Sequence, residues 1–160
     1  MSDVDSAQFR HLMGRFATGV VIVTAIDPEG HPTGMTANSL TSVSLQPPLV
    51  SICVDHTADM HQSLTGADRF AINILAADQE PLSRRFAGGE RKRFDGVGYR
   101  RTDSGYLVLD GVLAHLECER HAVFPVGDHT IYVGRVVGGQ TGDREPLLYY
   151  RGGYAGLGYR

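Results

Sequence analysis

Residues 34–55 read GMTANSLTSVSLQPPLVSICVD, and this stretch decides the fold. It begins with small polar residues, breaks at Pro47-Pro48 and continues as an apolar run. Small side chains allow a flat ligand to lie against the backbone, whose N–H groups are strong donors. Residues 36–39 are the most informative part of the stretch. They form either a tight connection between two strands or a binding site.

Apolar runs on both sides of this stretch predict strands. Residues 20–26 are apolar and β-branched at consecutive positions, which is typical of a strand buried on both faces. Further strands are predicted at residues 33–37, 41–45, 49–54, 70–75, 112–124, 129–137 and 147–150. Short helices are predicted at residues 5–17, 58–66 and 79–87. Because the strands follow at hairpin spacing and do not alternate with long helices, the pattern favours one mainly β domain over residues 1–160, an antiparallel closed or nearly closed barrel with short peripheral helices.

Two amphipathic patterns predict which faces are buried. In the first helix an apolar stripe recurs at helical spacing and should lie on the sheet; it comprises Phe9, Leu12, Met13 and Phe16. In residues 112–124, an alternation broken by Arg120 predicts an apolar face that includes Cys118 and Phe124. The opposite face carries His and Glu residues, among them His115, and is predicted to be solvated.

Several kinds of catalytic or metal site find no support in the motifs. His115, Cys118 and His121 do not suit a metal ion, because on a strand the cysteine points away from both histidines. The sequence has no G-x-S-x-G elbow, no P-loop and no G-x-G-x-x-G after a strand. Any nicotinamide must therefore bind by a route other than a Rossmann unit.

Composition and charge indicate which partners and which cellular compartment to expect for the protein. The 160 residues carry a formal net charge of −3, and no basic stripe of the kind that binds nucleic acid is present. The apolar runs are far shorter than the ~18 residues that span a bilayer. The acidic N-terminus lacks an apolar signal core, and Cys53 and Cys118 lie far apart. These features predict a cytoplasmic protein without a disulfide.

Two further segments allow both a structural and a functional interpretation. Asp128-His129 follows a glycine and is either a turn with an exposed imidazole or a ligand donor at the barrel rim. Residues 90–94 form the densest basic cluster. They are either a solvated loop or a contact for an anion, with Phe94 as a stacking surface.

Four segments resemble the short-chain flavin reductases in order and spacing: FATGVVIVT (16–24), GMTANSLTSVSLQPPLV (34–50), FAINIL (70–75) and GDH (127–129). The resemblance covers roughly residues 9–155. It implies an antiparallel split β-barrel of the flavin-reductase type, usually a homodimer. It also implies an NAD(P)H:flavin oxidoreductase that uses NADH or NADPH to reduce FMN or FAD and supplies the reduced flavin to a partner monooxygenase.

The resemblance also implies roles for individual residues. The edge of the flavin ring would be lined by Thr36, Ala37, Asn38 and Ser39. The ring and the ribityl chain would meet the backbone of Cys53, Val54 and Asp55. The phosphate would meet His56 and Thr57, and the flavin tail would meet Arg93 and Phe94. On the nicotinamide side the family pattern implies His129, with Tyr150 closing that side.

The chemistry expected of such a protein agrees with the lack of catalytic dyads. Hydride transfer needs two rings held together away from water rather than a protein acid or base. Two other functions stay open at this point. One is a flavoprotein that keeps its flavin and passes electrons to a bound partner, and the other is a non-catalytic split-barrel protein that binds flavin or haem.

Overall fold

Short strands and helices fill most of the chain in a computed structural model that describes residues 2–88 and 93–158. The strands are β1 Thr18–Gly19, β2 Val21–Ile26, β3 Pro32–Ala37, β4 Thr41–Leu45, β5 Pro48–Asp55, β6 Arg69–Ile74, β7 Tyr99–Arg101, β8 Leu107–Leu109, β9 Ala114–Val126, β10 His129–Thr141, β11 Leu148–Tyr150 and β12 Gly153–Ala155. The helices are α1 Ser6–Met13, α2 Asp59–Gly66 and α3 Glu80–Ala87, the last preceded by a 3-10 turn, Ala77–Gln79. The predicted mainly β composition with short helices is confirmed.

A seven-stranded sheet forms the body of the protein, in the order β3-β2-β6-β9-β10-β5-β4. Every neighbouring pair in it is antiparallel, as predicted. Its two edge strands, β3 and β4, are consecutive in the chain. The connection between them, residues 38–40, therefore runs from one open edge of the sheet to the other.

Strand β2 is buried on both faces, as its sequence predicts. On one face Val21 and Val23 join the main core, which also contains Ile52 of β5 and Tyr132 of β10. On the other face, Ile22 packs in a second cluster with Phe86 of α3. The strand is thus held between the sheet interior and the outer helix, which fixes the position of β3 beside it.

A bulge in β9 changes which residues face the core. Arg120 pairs with Gly134, whereas Ala122 pairs with Val133, so His121 is an extra residue on β9. The extra residue reverses the alternation beyond it. Phe124 consequently lies on the face opposite Cys118 and is 53% exposed, and the predicted shared apolar face is wrong.

Close packing beside this bulge requires a glycine at position 134. A Cβ at Gly134 would lie 2.6 Å from Cζ of Phe70 and 2.9 Å from Cβ of Cys118. Both neighbours are buried in the main core. The strand backbone of β10 can therefore approach the ring of Phe70 only because no side chain is present.

The N-terminal helix does not cover the sheet, which contradicts the prediction. Asp5 caps it by accepting a hydrogen bond from the N–H of Gln8 at 2.7 Å. No residue of α1 is buried, and the four residues of its predicted stripe are 52–71% exposed. The apolar residues do recur at helical spacing, but no other part of the described chain covers this stripe.

The face of β9 predicted to be solvated is partly covered. His115 is only 6% exposed, and its Nε2 lies 3.6 Å from a carboxylate oxygen of Glu117. Burial is the main cause that lowers the pKa of His115, and the positive charge of Arg100 lowers it further. Arg100 belongs to β7, which pairs with β8 in a hairpin that is not among the predicted strands.

The chain ends in a second small hairpin. Strand β11 pairs with β1 on one side and with β12 on the other. Arg151 and Gly152 connect β11 to β12 and both have positive φ, 53° and 77°, as a two-residue type I′ turn requires. In the residues that the structure describes, no helix is long and apolar enough to cross a membrane.

Candidate functional site

Ser39 attaches the connection between the sheet edges to strand β5. Its hydroxyl accepts a hydrogen bond from the N–H of Cys53 at 3.0 Å and lies 3.3 Å from the Cys53 carbonyl, to which it donates. Both partners are backbone groups of one residue. The connection is therefore held at a set distance from β5 without depending on any other side chain.

Strand β3 is anchored on its outer side by two further bonds. The Thr36 hydroxyl donates to the carbonyl of Ser83 at 2.7 Å. Nη1 of Arg93 donates to the carbonyl of Gly34 at 2.8 Å. The side chains of Thr36, Ser39 and Arg93 thus serve to position the backbone, and a ligand at this run would meet mainly N–H and C=O groups.

Asn38 differs from its neighbours. It is exposed, and among residues 2–88 and 93–158 its amide has no hydrogen-bond partner. It lies on the wall of a cavity of about 600 Å³, with Phe16, Thr18 and Ser39. It also lies on the wall of a smaller pocket of about 210 Å³, with Thr36. The larger cavity is in the size range of small-molecule sites, ~300–1,000 Å³.

The pairing of β5 with β10 brings distant residues to the same edge of the barrel. His129 lies opposite Asp55, and Ile131 lies opposite Cys53. The side chain of Val54 is fully buried, so only its backbone is available to a ligand. The predicted flavin-side residues 53–55 and the predicted nicotinamide-side histidine are therefore brought together.

The chain turns tightly where β5 ends. The Asp55 carboxylate accepts hydrogen bonds from the N–H and the hydroxyl of Thr57, both at 2.7 Å. The backbone hydrogen bond is the largest cause that lowers the pKa of Asp55. The carboxylate therefore stays ionised at neutral pH and holds the turn that leads to α2.

Two imidazoles lie beside this turn. Nε2 of His56 is 2.9 Å from the Thr130 hydroxyl, and Nδ1 of His61 is 2.8 Å from the Tyr132 hydroxyl. The two rings are 5.0 Å apart between centroids and line an open cavity of about 620 Å³ that also includes Thr57. Imidazole N–H groups and hydroxyls are suitable donors to an anion such as a phosphate.

His129 is oriented by its neighbour in sequence. Its Nδ1 lies 2.6 Å from Oδ1 of Asp128. This hydrogen bond, and then the charge of the imidazole, lowers the pKa of Asp128. The ionised carboxylate holds the ring, and within the described chain Nε2 of His129 has no hydrogen-bond partner.

The remaining predicted residues do not line the two cavities at Asn38. Phe94 packs edge-on against Phe86 and Tyr99, with centroids 5.0 and 5.4 Å away, and is partly buried in the second cluster. Tyr150 is 40% exposed and does not line either pocket at Asn38. Of the basic cluster, residues 90–92 lie outside the described residues.

Two tyrosines missed by the sequence analysis line the smaller pocket. Tyr149 and Tyr154 face each other across the β11–β12 hairpin, with ring centroids 5.3 Å apart. Alternation along β11 puts Tyr149 and Tyr150 on opposite faces, so only one of them can point to the pocket. The sequence signal that could have identified Tyr154 is the glycine-containing turn after Tyr150. A two-residue hairpin at this turn returns Tyr154 to the side of Tyr149.

Known proteins resemble this chain over nearly its whole length. A family model described as "Flavin reductase like domain" matches residues 13–158. A flavin reductase from Pseudomonas putida is 40% identical over 157 residues, which cover 98% of this chain and 92% of the relative. The reductase subunit HsaB of a flavin-dependent monooxygenase from Rhodococcus jostii (strain RHA1) is 36% identical over 155 residues, which cover 96% of this chain and 79% of that subunit. Two relatives from Rhizobium meliloti (strain 1021) are longer, and the matches cover 65% and 48% of them.

Solved structures agree with the predicted architecture. The NADH:FAD oxidoreductase SgcE6 of Streptomyces globisporus C-1027, solved in complex with NAD and FAD fragments, matches with a TM-score of 0.91 at 41% identity. The match covers 99% of this chain and 98% of that chain. The predicted split barrel is thereby confirmed, and so is the resemblance read from the motifs. By sequence and by structure, the chain belongs to the flavin reductase like domain family.

Proposed function

We propose that the protein is an NADH-dependent flavin reductase that reduces FMN or FAD by hydride transfer. The observation that carries the proposal is the match to an NADH:FAD oxidoreductase over 99% of this chain. The geometry at Asn38 supports it, because an open amide and a backbone held by Ser39 face a cavity of suitable size.

The residues present fit a flavin. A flavin ring that has received a hydride carries negative charge on its polar edge, which fixed hydrogen-bond donors stabilise. The backbone of residues 36–39 and the amide of Asn38 supply such donors, and the bonds of Thr36 and Ser39 keep them in place. Cys53, Val54 and Asp55 would continue the contact along the ribityl chain. His56, Thr57, Arg93 and Phe94 would lie toward the flavin tail.

His129 is suited to orient the nicotinamide. Its Nδ1 is engaged by Asp128, so Nε2 is the ring nitrogen that remains for the carboxamide of the substrate. A flavin bound here would supply the hydride acceptor, with NADH as the donor. The protein's own contribution is to hold the two rings in contact and to exclude water, and this requires no nucleophile or general base.

The reduced flavin would be passed to a separate monooxygenase. HsaB, a relative of this chain, is the reductase subunit of a flavin-dependent monooxygenase, and the exposure of Asn38 suits a ligand that is released rather than retained. The same exposure favours a diffusible flavin over a prosthetic one.

The experiment is a turnover assay on the purified protein. NADH and NADPH are each mixed with excess FMN, FAD or riboflavin, and NAD(P)H oxidation is followed at 340 nm. Multiple turnovers that depend on added flavin are expected with NADH. Oxidation limited to one equivalent of a tightly bound flavin would favour a retained cofactor, and no oxidation with any flavin would refute the proposal.

Replacing Asn38 should weaken flavin binding. Asn38→Leu removes the amide and leaves no cavity in the core. Because a hydrogen bond to the flavin is lost, the Kd for FMN should rise about 2- to 10-fold. The Kd is measured by fluorescence titration. Gln140→Leu, an equivalent change at an exposed position of β10, serves as the control. An unchanged Kd for Asn38→Leu would remove Asn38 from the binding site.

His129→Ala should affect the nicotinamide step more than flavin binding. The change removes both the ring and its bond to Asp128, and we expect kcat/KM for NADH to fall about 10-fold while the Kd for flavin changes by less than about twofold. Steady-state kinetics at saturating flavin measure the first quantity. His121→Ala, an exposed histidine on β9, is the matched control. Equal losses in both quantities would contradict the assignment.

A homodimer would explain the exposed stripe of α1. Phe9 and Leu12 are each 55% exposed, and a second copy packed on α1 would bury them. Light scattering should give about 35 kDa, twice the 17.4 kDa of one chain. Phe9→Glu with Leu12→Glu should give the monomer mass, whereas Arg10→Gln on the same helix should not. A monomeric wild-type protein would refute the dimer.

A further inference from the structure

Ser83 is a fully buried polar residue in the middle of α3. Serine is a poorer helix former than alanine, and a buried hydroxyl without a partner destabilises the fold. Neither consideration favours serine at this position unless its hydroxyl is used. The hydroxyl is bonded to a tyrosine of the C-terminal hairpin, and the backbone carbonyl of Ser83, which any residue would supply, accepts from a residue of β3.

The two bonds of Ser83 connect the site from opposite sides. Its carbonyl accepts the hydroxyl of Thr36 at 2.7 Å, and its own hydroxyl is 2.7 Å from the hydroxyl of Tyr154. Thr36 and Tyr154 both line the pocket of about 210 Å³ at Asn38. One residue of α3 therefore holds two walls of this pocket, one on β3 and one on the C-terminal hairpin.

The ring of Tyr154 is held at its face and edge as well as at its hydroxyl. The guanidinium carbon of Arg84 lies 4.9 Å from the ring centroid, in the range of a cation–π contact. Arg84 is itself held by Glu80, whose carboxylate accepts from Nε and Nη2 at 2.9 and 2.8 Å. Tyr149 packs against the same ring with an interplanar angle of 68°. Tyr154 is thus a preorganised aromatic wall.

We propose that Ser83 is a positioning residue that sets the distance between Thr36 and Tyr154, so that the pocket between them takes one edge of a flat heteroaromatic ring. This inference rests on the proposed function, in which that ring is the flavin. A pocket of about 210 Å³ is smaller than a whole-ligand site, ~300–1,000 Å³, and therefore accommodates part of a larger ligand whose remainder lies in the adjoining cavity. Tyr154 borders it together with Tyr149.

The first test is a double-mutant cycle on the shared hydrogen bond. Ser83→Ala and Tyr154→Phe each remove one hydroxyl of the same pair, and each should raise the Kd for FMN about 2- to 10-fold. Because the bond can be lost only once, the double variant should show the effect of one single variant rather than the product of both.

A matched control separates positioning from stability. Ser63 is also a buried serine in a short helix, but within the described residues its hydroxyl bonds only the Asp59 carbonyl of its own helix, at 3.2 Å. Ser63→Ala should therefore change the melting temperature without changing the Kd for FMN. The Kd is measured by titration on the folded protein below its melting temperature. If Ser83→Ala does not fold, Tyr154→Phe alone carries the expected change in Kd.

The outcomes distinguish this inference from the proposed function. A wild-type protein that neither binds nor reduces any flavin refutes the proposed function and this inference with it. A wild-type protein that turns over flavin while Ser83→Ala and Tyr154→Phe keep its Kd refutes the positioning role alone. Multiplicative effects of the two substitutions would also refute it, since they would place the hydroxyls in independent interactions.

Discussion

The bond pair between Ser39 and the backbone of Cys53 is the constraint on which the rest of the structure depends. The seven-stranded sheet ends in β3 and β4, and residues 38–40 connect these two edges. An open edge exposes unpaired backbone groups, and here the chain itself crosses between the edges. The bonds to β5 fix this crossing, and with it the place where backbone donors and the Asn38 amide are available to a ligand.

Around this crossing, the side chains hold the backbone in place, and the backbone is what the proposed flavin site offers to a ligand. The hydroxyls of Thr36 and Ser39 and the guanidinium of Arg93 all bond to carbonyls or N–H groups of neighbouring elements. Such a site has its donors in place before a ligand arrives, so little reorganisation accompanies binding or reaction. This arrangement suits hydride transfer between two bound rings, in which alignment matters more than proton transfer.

The carboxylates near the crossing have a similar structural role. Asp55 holds the turn at Thr57, and Asp128 holds the ring of His129, and in each case a hydrogen bond is the largest cause of the lowered pKa of the carboxyl. Both groups therefore stay ionised as the pH falls toward the usual range of aspartate. The β5–β10 register places them at the same barrel edge, so the two segments form one rim.

The sequence by itself determined the features that depend on local pattern: the doubly buried β2, the antiparallel pairing of the strands and the small-residue run at 36–39. Periodicity reports which residues share a face, but it does not show what packs there or where a bulge reverses the face. The tertiary structure therefore decided the exposure of Phe124 beyond the extra residue His121, the burial of His115 and the exposed stripe of α1. It also decided that Tyr154 borders the pocket, because the bond from Tyr154 to Ser83 joins residues 71 positions apart and leaves no trace in local sequence.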